Sequence, residues 1–341
     1  MKDASSRASG LVKMLSGPAF RRATRPLMQG RTPVFMLHRM EDAAQNIHGH
    51  SIAFIRDCIQ ALRASGAKIV PLSTVVAAWR ARAAVDPAWT VFTLDDGFAD
   101  QVRIVREVFE PLRCPATIFL ITGQLDGQLW PWDDQVAWLL RGAPPAEYRV
   151  TLDGTRMSLD LRGPLERSAA IGRVRDGLRA SRQNPYSEVT TLATALGRSL
   201  PVGAPPEYTP MSWDDARALE DTGVEFGPHS ISHRTVSRLS DDDARAEISG
   251  SWQRLQQELR CPVPILAWPR GQQRDFGARD VALARAAGLH ASVTTEPGYA
   301  TCEPRDADAS YRIRRFALPE TLDKVLRYGS WLERARELLP F

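Results

Sequence analysis

Asp95-Asp96-Gly97 closes an apolar run, and His229-Ser230-Ile231-Ser232-His233 lies far downstream in the chain. Neighbouring carboxylates plus two imidazoles four residues apart are the donors that a single catalytic metal needs. Three side chains hold the ion and the remaining carboxylate handles a proton. Adjacent carboxylates on an extended chain point in opposite directions, so Asp95 and Asp96 are expected to take different jobs. Gly97 permits a backbone turn beside the ion. If residues 229–233 turn helically, His229 and His233 share one face, and Gly227-Pro228 fix a tight strand exit before them. Zinc suits two histidines and a carboxylate, and iron, nickel or cobalt also fit. A metal in such a site lowers the pKa of water to roughly 7 and polarises a carbonyl oxygen, and a carboxylate general base adds about 10²–10⁴-fold. This is machinery for hydrolysing an amide or an ester. Taken singly, Asp-Asp-Gly also suits a solvated turn and the histidines suit surface positions, so the reading depends on the segments meeting in space.

The elements that must bring them together alternate. Thr32–His38, Lys68–Leu72, Trp89–Leu94 and Ala116–Thr122 read as short buried strands. Phe54–Ser65 has helical spacing and stops at Gly66, Ser73 can cap a helix running through Arg80, and a helix follows Asp95 through Phe109. After residue 210 the rhythm resumes, with helices at Ser212–Thr222, Asp241–Glu258 and Ala278–Ala287 and strands at Val224–Phe226, Pro264–Trp268 and Ala291–Thr295. Residues 123–210 break the pattern and read as a mainly helical insertion without a strand set of its own. Alternation predicts an α/β fold with a parallel sheet. His38, Asp95, His229 and Pro269 each follow a strand, and in such folds the carboxyl ends of the strands share one active face.

Bulk properties narrow the class. The 341 residues are 43% hydrophobic and 25% charged, as in soluble globular proteins. Of 44 Lys and Arg, seven lie in residues 1–31 (Lys2, Arg7, Lys13, Arg21, Arg22, Arg25, Arg31) beside one acid, Asp3; the remainder holds 37 basic against 39 acidic residues. The basic character belongs to an N-terminal arm, so no nucleic-acid partner is expected. Lys13, Ser16, Gly17 and Pro18 interrupt the arm's apolar stretch, so a secretory signal is not expected, and no run reaches the roughly 18 apolar residues of a membrane span. The arm is either a frayed terminus or a peripheral membrane contact through its Arg residues and Leu11, Val12, Met14, Leu15 and Phe20. Four scattered cysteines fit reduced thiols in the cytoplasm.

Three segments carry a family resemblance. Thr93-Leu94-Asp95-Asp96-Gly97-Phe98 resembles the first motif of the polysaccharide deacetylase family (the NodB-type domain, carbohydrate esterase family four). Met211-Ser212-Trp213 through Gly223, Gly227–His233 and Leu239-Ser240 resemble the second motif with its lead-in helix, and Ala267-Trp268-Pro269-Arg270-Gly271 is similar to the third. Ala286–Leu289 to Thr294-Thr295 resembles the next helix-strand step. The resemblance covers about residues 32–318, interrupted by the insertion, and implies a distorted (β/α) barrel of about seven strands; the catalytic domain is expected over 32–320 and a C-terminal helix over 321–341. The resemblance also implies a metal-dependent de-N-acetylase of sugar polymers, with Asp95 as base and Asp96, His229 and His233 as metal ligands. The Arg270 backbone N–H, just after Pro269, would help hold the oxyanion.

Two departures matter. The late segment Tyr311–Pro319 lacks the catalytic-acid histidine that family members usually place there. Val34–Arg39 resembles the permuted members that carry a histidine on an N-terminal strand, which makes His38 the candidate acid. Arg270 replaces an aromatic, while Trp268 takes the preceding aromatic position and could contact sugar. Trp130 and Trp132 either stack on sugar faces or pack inside. The expected activity is removal of N-acetyl groups from a glycan or lipid-linked sugar, in the cytoplasm or at the inner membrane face. The alternatives are a hydrolase of another amide or O-acetyl ester, and a silent carbohydrate-binding protein on the same fold.

Overall fold

The computed structural model of the chain describes residues 10–45, 47–302 and 306–338. Lys2, Asp3 and Arg7 of the arm lie outside the described residues, as do positions 339–341 at the C-terminal end.

The apolar runs of the main parallel sheet form strands buried on both faces, as at Val34–Leu37, Trp89–Leu94 and Ala116–Leu120, which helices on both sides of a parallel sheet require; the full set of strands also includes an exposed antiparallel hairpin. In chain order the strands are β1 (Val34–Leu37), β2 (Lys68–Ile69), β3 (Trp89–Leu94), β4 (Ala116–Leu120), β5 (Glu147–Leu152), β6 (Thr155–Asp160), β7 (Val224–Pro228), β8 (Ile265–Ala267), β9 (Ala291–Val293) and β10 (Phe316–Ala317). The main sheet runs β10-β1-β3-β4-β7, all parallel, with β2 paired to the start of β3. β8 and β9 pair separately and in parallel.

Two links close these pieces into a ring. Val263 N–H donates to Phe226 O at 2.7 Å, joining β7 to the approach of β8. Val293 bridges Ile313 in parallel, and the chain from Ile313 runs into β10 beside β1. The ring is therefore the distorted (β/α) barrel, and its core includes Phe35, Phe92, Ile118, Phe226 and Leu266 on one side and Val34, Val91, Phe119 and Ile265 on the other. Gly227 is required where β7 and β8 meet, because a Cβ there would lie 2.3 Å from Ile265 O.

The helices sit where the spacing predicts, with local differences. Ser51, not a later residue, caps the helix Ile52–Ala64. The helix Leu72–Arg80 starts one residue before Ser73, behind Pro71, so Ser73 is not its cap; the Ser73 N–H donates to Glu225 Oε1 instead. Ser212 does cap the next segment, in a reciprocal box with Asp215.

Residues 123–210 correct the expectation of an insertion without strands. β5 and β6 form an antiparallel hairpin whose turn is Asp153-Gly154, both in the left-handed region at φ 46° and 71°. Helices Trp132–Gly142, Pro164–Ala180 and Pro185–Ala195 cover the hairpin. Val136, Leu140, Val150, Leu159, Val174, Leu178 and Val189 make a core separate from that of the barrel.

The C-terminal stretch is two helices, Leu322–Tyr328 and Trp331–Leu338, rather than one. The break falls at Gly329, where a Cβ would meet Leu62 Cδ2 at 2.5 Å. The described part of the arm is docked rather than frayed. Arg21 Nη2 donates to Gly329 O at 2.6 Å, and Trp331 Nε1 donates to Leu15 O at 2.9 Å.

Candidate active site

The carboxyl ends of β1, β3, β7 and β8 open onto one cavity of about 270 Å³ lined by His38, Asp95, Asp96, Asp133, Arg179, His229, His233, Trp268 and Arg270 among others. All eight residues singled out from the sequence belong to this region, with Pro269 in the turn between Trp268 and Arg270.

Asp95 and Asp96 reach the same cavity despite being neighbours. An extended chain would send them to opposite faces, but Asp96 leaves the extended region at φ 82° and Gly97 follows at φ 80°. A Cβ at position 97 would lie 2.7 Å from Leu120 Cδ2, so a side chain is excluded there as well.

Residues 229–233 do not form a helical turn. The loop bends at two left-handed residues, Ser230 at φ 63° and His233 at φ 55°, and this brings the imidazole centroids to 5.0 Å. Glu247 supports the bend by accepting from Ile231 N at 2.9 Å and Ser232 N at 2.8 Å. Arg270 is also left-handed, at φ 64°. Strained non-glycine backbone thus concentrates around the cavity, where surrounding structure must hold it.

Both histidines turn Nε2 inward. His229 Nδ1 donates to Ala267 O at 2.8 Å, leaving Nε2 3.5 Å from Asp96 Oδ1. His233 Nδ1 faces Asp133 Oδ1 at 3.4 Å, leaving Nε2 3.9 Å from the same Asp96 oxygen. One ligand atom from each of Asp96, His229 and His233 lies within 4.8 Å of the others. The set fits a divalent ion: three converging donors, with the outer nitrogens held by a carbonyl and a carboxylate, as ligating histidines usually are.

Asp95 has a different environment. Arg315, fully buried, donates Nη1 to Asp95 Oδ1 and Nη2 to Oδ2, each at 2.7 Å. Arg315 is itself fixed by Thr294 O at 2.8 Å and Thr93 Oγ1 at 3.0 Å. Burial raises the Asp95 carboxyl pKa, but the charge and hydrogen bonds of Arg315 outweigh it and hold the group well below the usual carboxylate range. At Asp96 burial is likewise outweighed, chiefly by a hydrogen bond from His229, and the pKa is lowered. His38 Nε2 is 3.7 Å from Asp95 Oδ2, and its ring is half exposed at the cavity mouth. Gln101, fully buried, ties the two strand ends together by donating Nε2 to His38 O at 2.7 Å and to Asp95 O at 2.5 Å.

Four of these supports were not anticipated. Arg315 lies in the late segment Tyr311–Pro319 beside Arg312 and Arg314, so nothing local singles it out. Asp133 sits at the start of an insertion helix, where acidic residues are ordinary. It also pairs with Arg270 Nη1 at 3.0 Å, and His233 together with Arg270 and Arg175 lowers its pKa against the burial that raises it. Gln101 and Glu247 have no sequence signal at all.

The aromatic expectations divide. Trp268 is 1% exposed, stacks on Phe276 at 4.8 Å and donates its indole N–H to Tyr311 O, so it is a packed wall of the cavity. Trp132 is buried, donating Nε1 to His233 O at 3.1 Å, and Trp130 is buried against Tyr208 at 5.3 Å. Neither offers a face to sugar.

Residues 183–292 match the family model described as polysaccharide deacetylase. No curated protein matches the chain. Among solved structures, the deacetylase PplD of Streptococcus pyogenes in complex with acetate superposes with a TM-score of 0.57 at 13% identity, covering 88% of this chain and 98% of that one. IcaB from Ammonifex degensii gives 0.55 at 14% identity, covering 88% and 97%. A polysaccharide deacetylase from Bacillus cereus gives 0.53 at 14% identity, covering 89% and 70%. The fold is common to all three.

Proposed function

We propose that this chain, whose residues 183–292 match the polysaccharide deacetylase model and whose fold is that of solved deacetylases, is a metal-dependent hydrolase removing N-acetyl groups from a glycan or a lipid-linked sugar. The observation that carries the reading is the convergence of Asp96 Oδ1, His229 Nε2 and His233 Nε2 beside an Arg315-bound Asp95. Asp96, His229 and His233 are the metal ligands, with zinc as the first choice for this donor set and nickel, cobalt or iron as alternatives. When bound, a divalent ion supplies Lewis acidity toward the acetamide carbonyl and toward water.

The chain's own groups do the rest. Asp95 stays ionised down to low pH because Arg315 holds it, so a carboxylate is always available to take a proton from the attacking water. Arg315 also fixes its rotamer, which keeps the acceptor oxygen in place. His38, across the cavity mouth from Asp95, protonates the leaving amine nitrogen. The Arg270 backbone N–H has no acceptor among the described residues, consistent with a role in holding the developing oxyanion. Asp133 orients His233 and Arg270 together.

Acetate release from N-acetylglucosamine oligomers, measured beside O-acetylated sugars, tests the reading. The N-acetyl substrates are expected to turn over, and Asp95→Asn to abolish turnover while metal stays bound. Turnover of O-acetyl esters alone would move the activity to the alternative.

We also propose that the protein acts in the cytoplasm, against the inner membrane face. None of the described helices is long and apolar enough to cross a membrane. Leu11, Met14, Phe20 and Leu27 are exposed among Lys13, Arg22 and Arg25, a mix suited to anionic lipid. Flotation with anionic vesicles, compared for the wild type and Leu11→Glu/Met14→Glu, checks this; equal recovery of both with the lipid would count against it.

A further inference from the structure

A second cleft adjoins the active site and is lined by Arg179, Arg182, Arg234 and Arg238 together with Gln183 and Thr235. Arg179 lines both cavities. It is the one arginine of the four with an acid: its Nε donates to Asp275 Oδ1 at 2.8 Å and its Nη2 to the other oxygen. Arg182, Arg234 and Arg238 have no acidic partner among the described residues. The Nε atoms of Arg234 and Arg238 are buried without an acceptor, and so is Thr235 Oγ1. Arg270, across the active-site cavity, has a buried Nε in the same condition.

A general excess of positive charge does not account for this. Residues 32–341 hold 37 basic and 39 acidic residues, and other surface arginines, such as Arg217, Arg254 and Arg260, have acids within reach. A guanidinium N–H that loses water on burial without gaining an acceptor is destabilising. Two such N–H groups, on Arg234 and Arg238, beside Arg182 with no acid of its own among the described residues and the unpaired Thr235 Oγ1, point to an acceptor that arrives from outside. Arginine forks match carboxylates and phosphates. Arg234 directly follows His233 and Arg179 lines both cavities, so an anion held there adjoins the site proposed for the acetamide.

We propose that the substrate is an acidic glycan, in which a carboxylate or phosphate flanking the N-acetylated sugar is held by Arg182, Arg234 and Arg238. This rests on the deacetylase reading and adds the chemical class of the polymer. It also gives the insertion a purpose, because Arg179 and Arg182 come from it. The aromatic stacking that Trp130, Trp132 and Trp268 cannot provide is replaced by charge recognition.

The test compares acetate release by the metal-loaded full chain from three oligomers: neutral N-acetylglucosamine, N-acetylglucosamine alternating with a hexuronate, and a phosphodiester-linked N-acetylhexosamine. One or both acidic oligomers should show a kcat/KM about 10- to 100-fold above the neutral one, falling as salt is raised, and the better one identifies the anion. Arg182→Gln and Arg238→Gln should each shrink the acidic-to-neutral ratio. A ratio of one or less in the wild type, or a ratio that neither variant changes, overturns the proposal. If no oligomer releases acetate, the deacetylase reading is what has failed. Titration calorimetry with the two acidic oligomers then decides this inference: binding weakened by Arg182→Gln supports it, and no binding overturns it.

Discussion

Arg315 grips Asp95 through two parallel hydrogen bonds of 2.7 Å, and neither side chain is more than 2% exposed. A carboxylate that is buried, ionised and fixed in direction differs from its neighbour Asp96, which meets only imidazoles. The pair separates the two jobs that the adjacent aspartates were expected to divide.

Replacing Arg315 with Met should destabilise the fold by about 3–5 kcal/mol near neutral pH, since Asp95 is left buried without its counter-ion. The stabilities of the two proteins depend on pH in opposite directions. In the wild type the depressed Asp95 pKa contributes stability that is present above the unfolded carboxyl value of about 3.9 and is lost as pH falls below it. In the variant burial raises the pKa, so the deficit narrows as pH falls and the carboxyl protonates. Urea melts across pH check this, and the acid limb of the activity profile should move upward in the same variant.

His38→Gln should lower kcat on N-acetyl substrates by about 10²–10⁴-fold while leaving metal content intact. Acetyl esters of good leaving groups need no protonation and should lose much less. Parallel kinetics on an amide and an activated aryl acetate distinguish a proton donor from a residue that only shapes the mouth, for which both losses would be equal.

Asp133→Asn removes the charge that faces His233 Nδ1 and Arg270 Nη1. Outer partners of ligating histidines typically contribute 10–100-fold in metal affinity, so the metal dissociation constant should rise by that amount, with activity largely recovered at saturating metal. Competition with a chromophoric chelator measures it.

Gly227→Ala places a methyl carbon where Ile265 O lies 2.3 Å away. Backbone cannot retreat as a side-chain tip can, so β7 and β8 must part, at a cost of about 1–3 kcal/mol or more. Because β7 ends at His229, the midpoint of thermal unfolding and the metal affinity should fall together.

The sequence revealed the barrel and the site to different depths. Short apolar runs such as Ala116–Leu120 announced buried parallel strands, and the residues after them converged because strand ends share a face. Three things stayed hidden. Left-handed backbone at Asp96, Ser230 and His233 depends on tertiary supports such as Glu247 and not on local propensity. The hairpin Glu147–Asp160 is largely exposed on one face and packs only on its own helices, which weakened its apolar pattern. Asp133 and Arg315 act over separations of 100 and 220 residues from their partners, distances across which no spacing rule reaches.

The central claim is that Asp96, His229 and His233 hold a divalent ion required for acetate release. Metal content of the purified chain, followed by chelation and re-addition with acetate release from an N-acetylated oligosaccharide as the readout, tests it most directly. One ion per chain, activity lost on stripping and restored by zinc or another divalent ion, and no binding by His229→Ala/His233→Ala are the results predicted. Unchanged acetate release from metal-free protein would contradict the account.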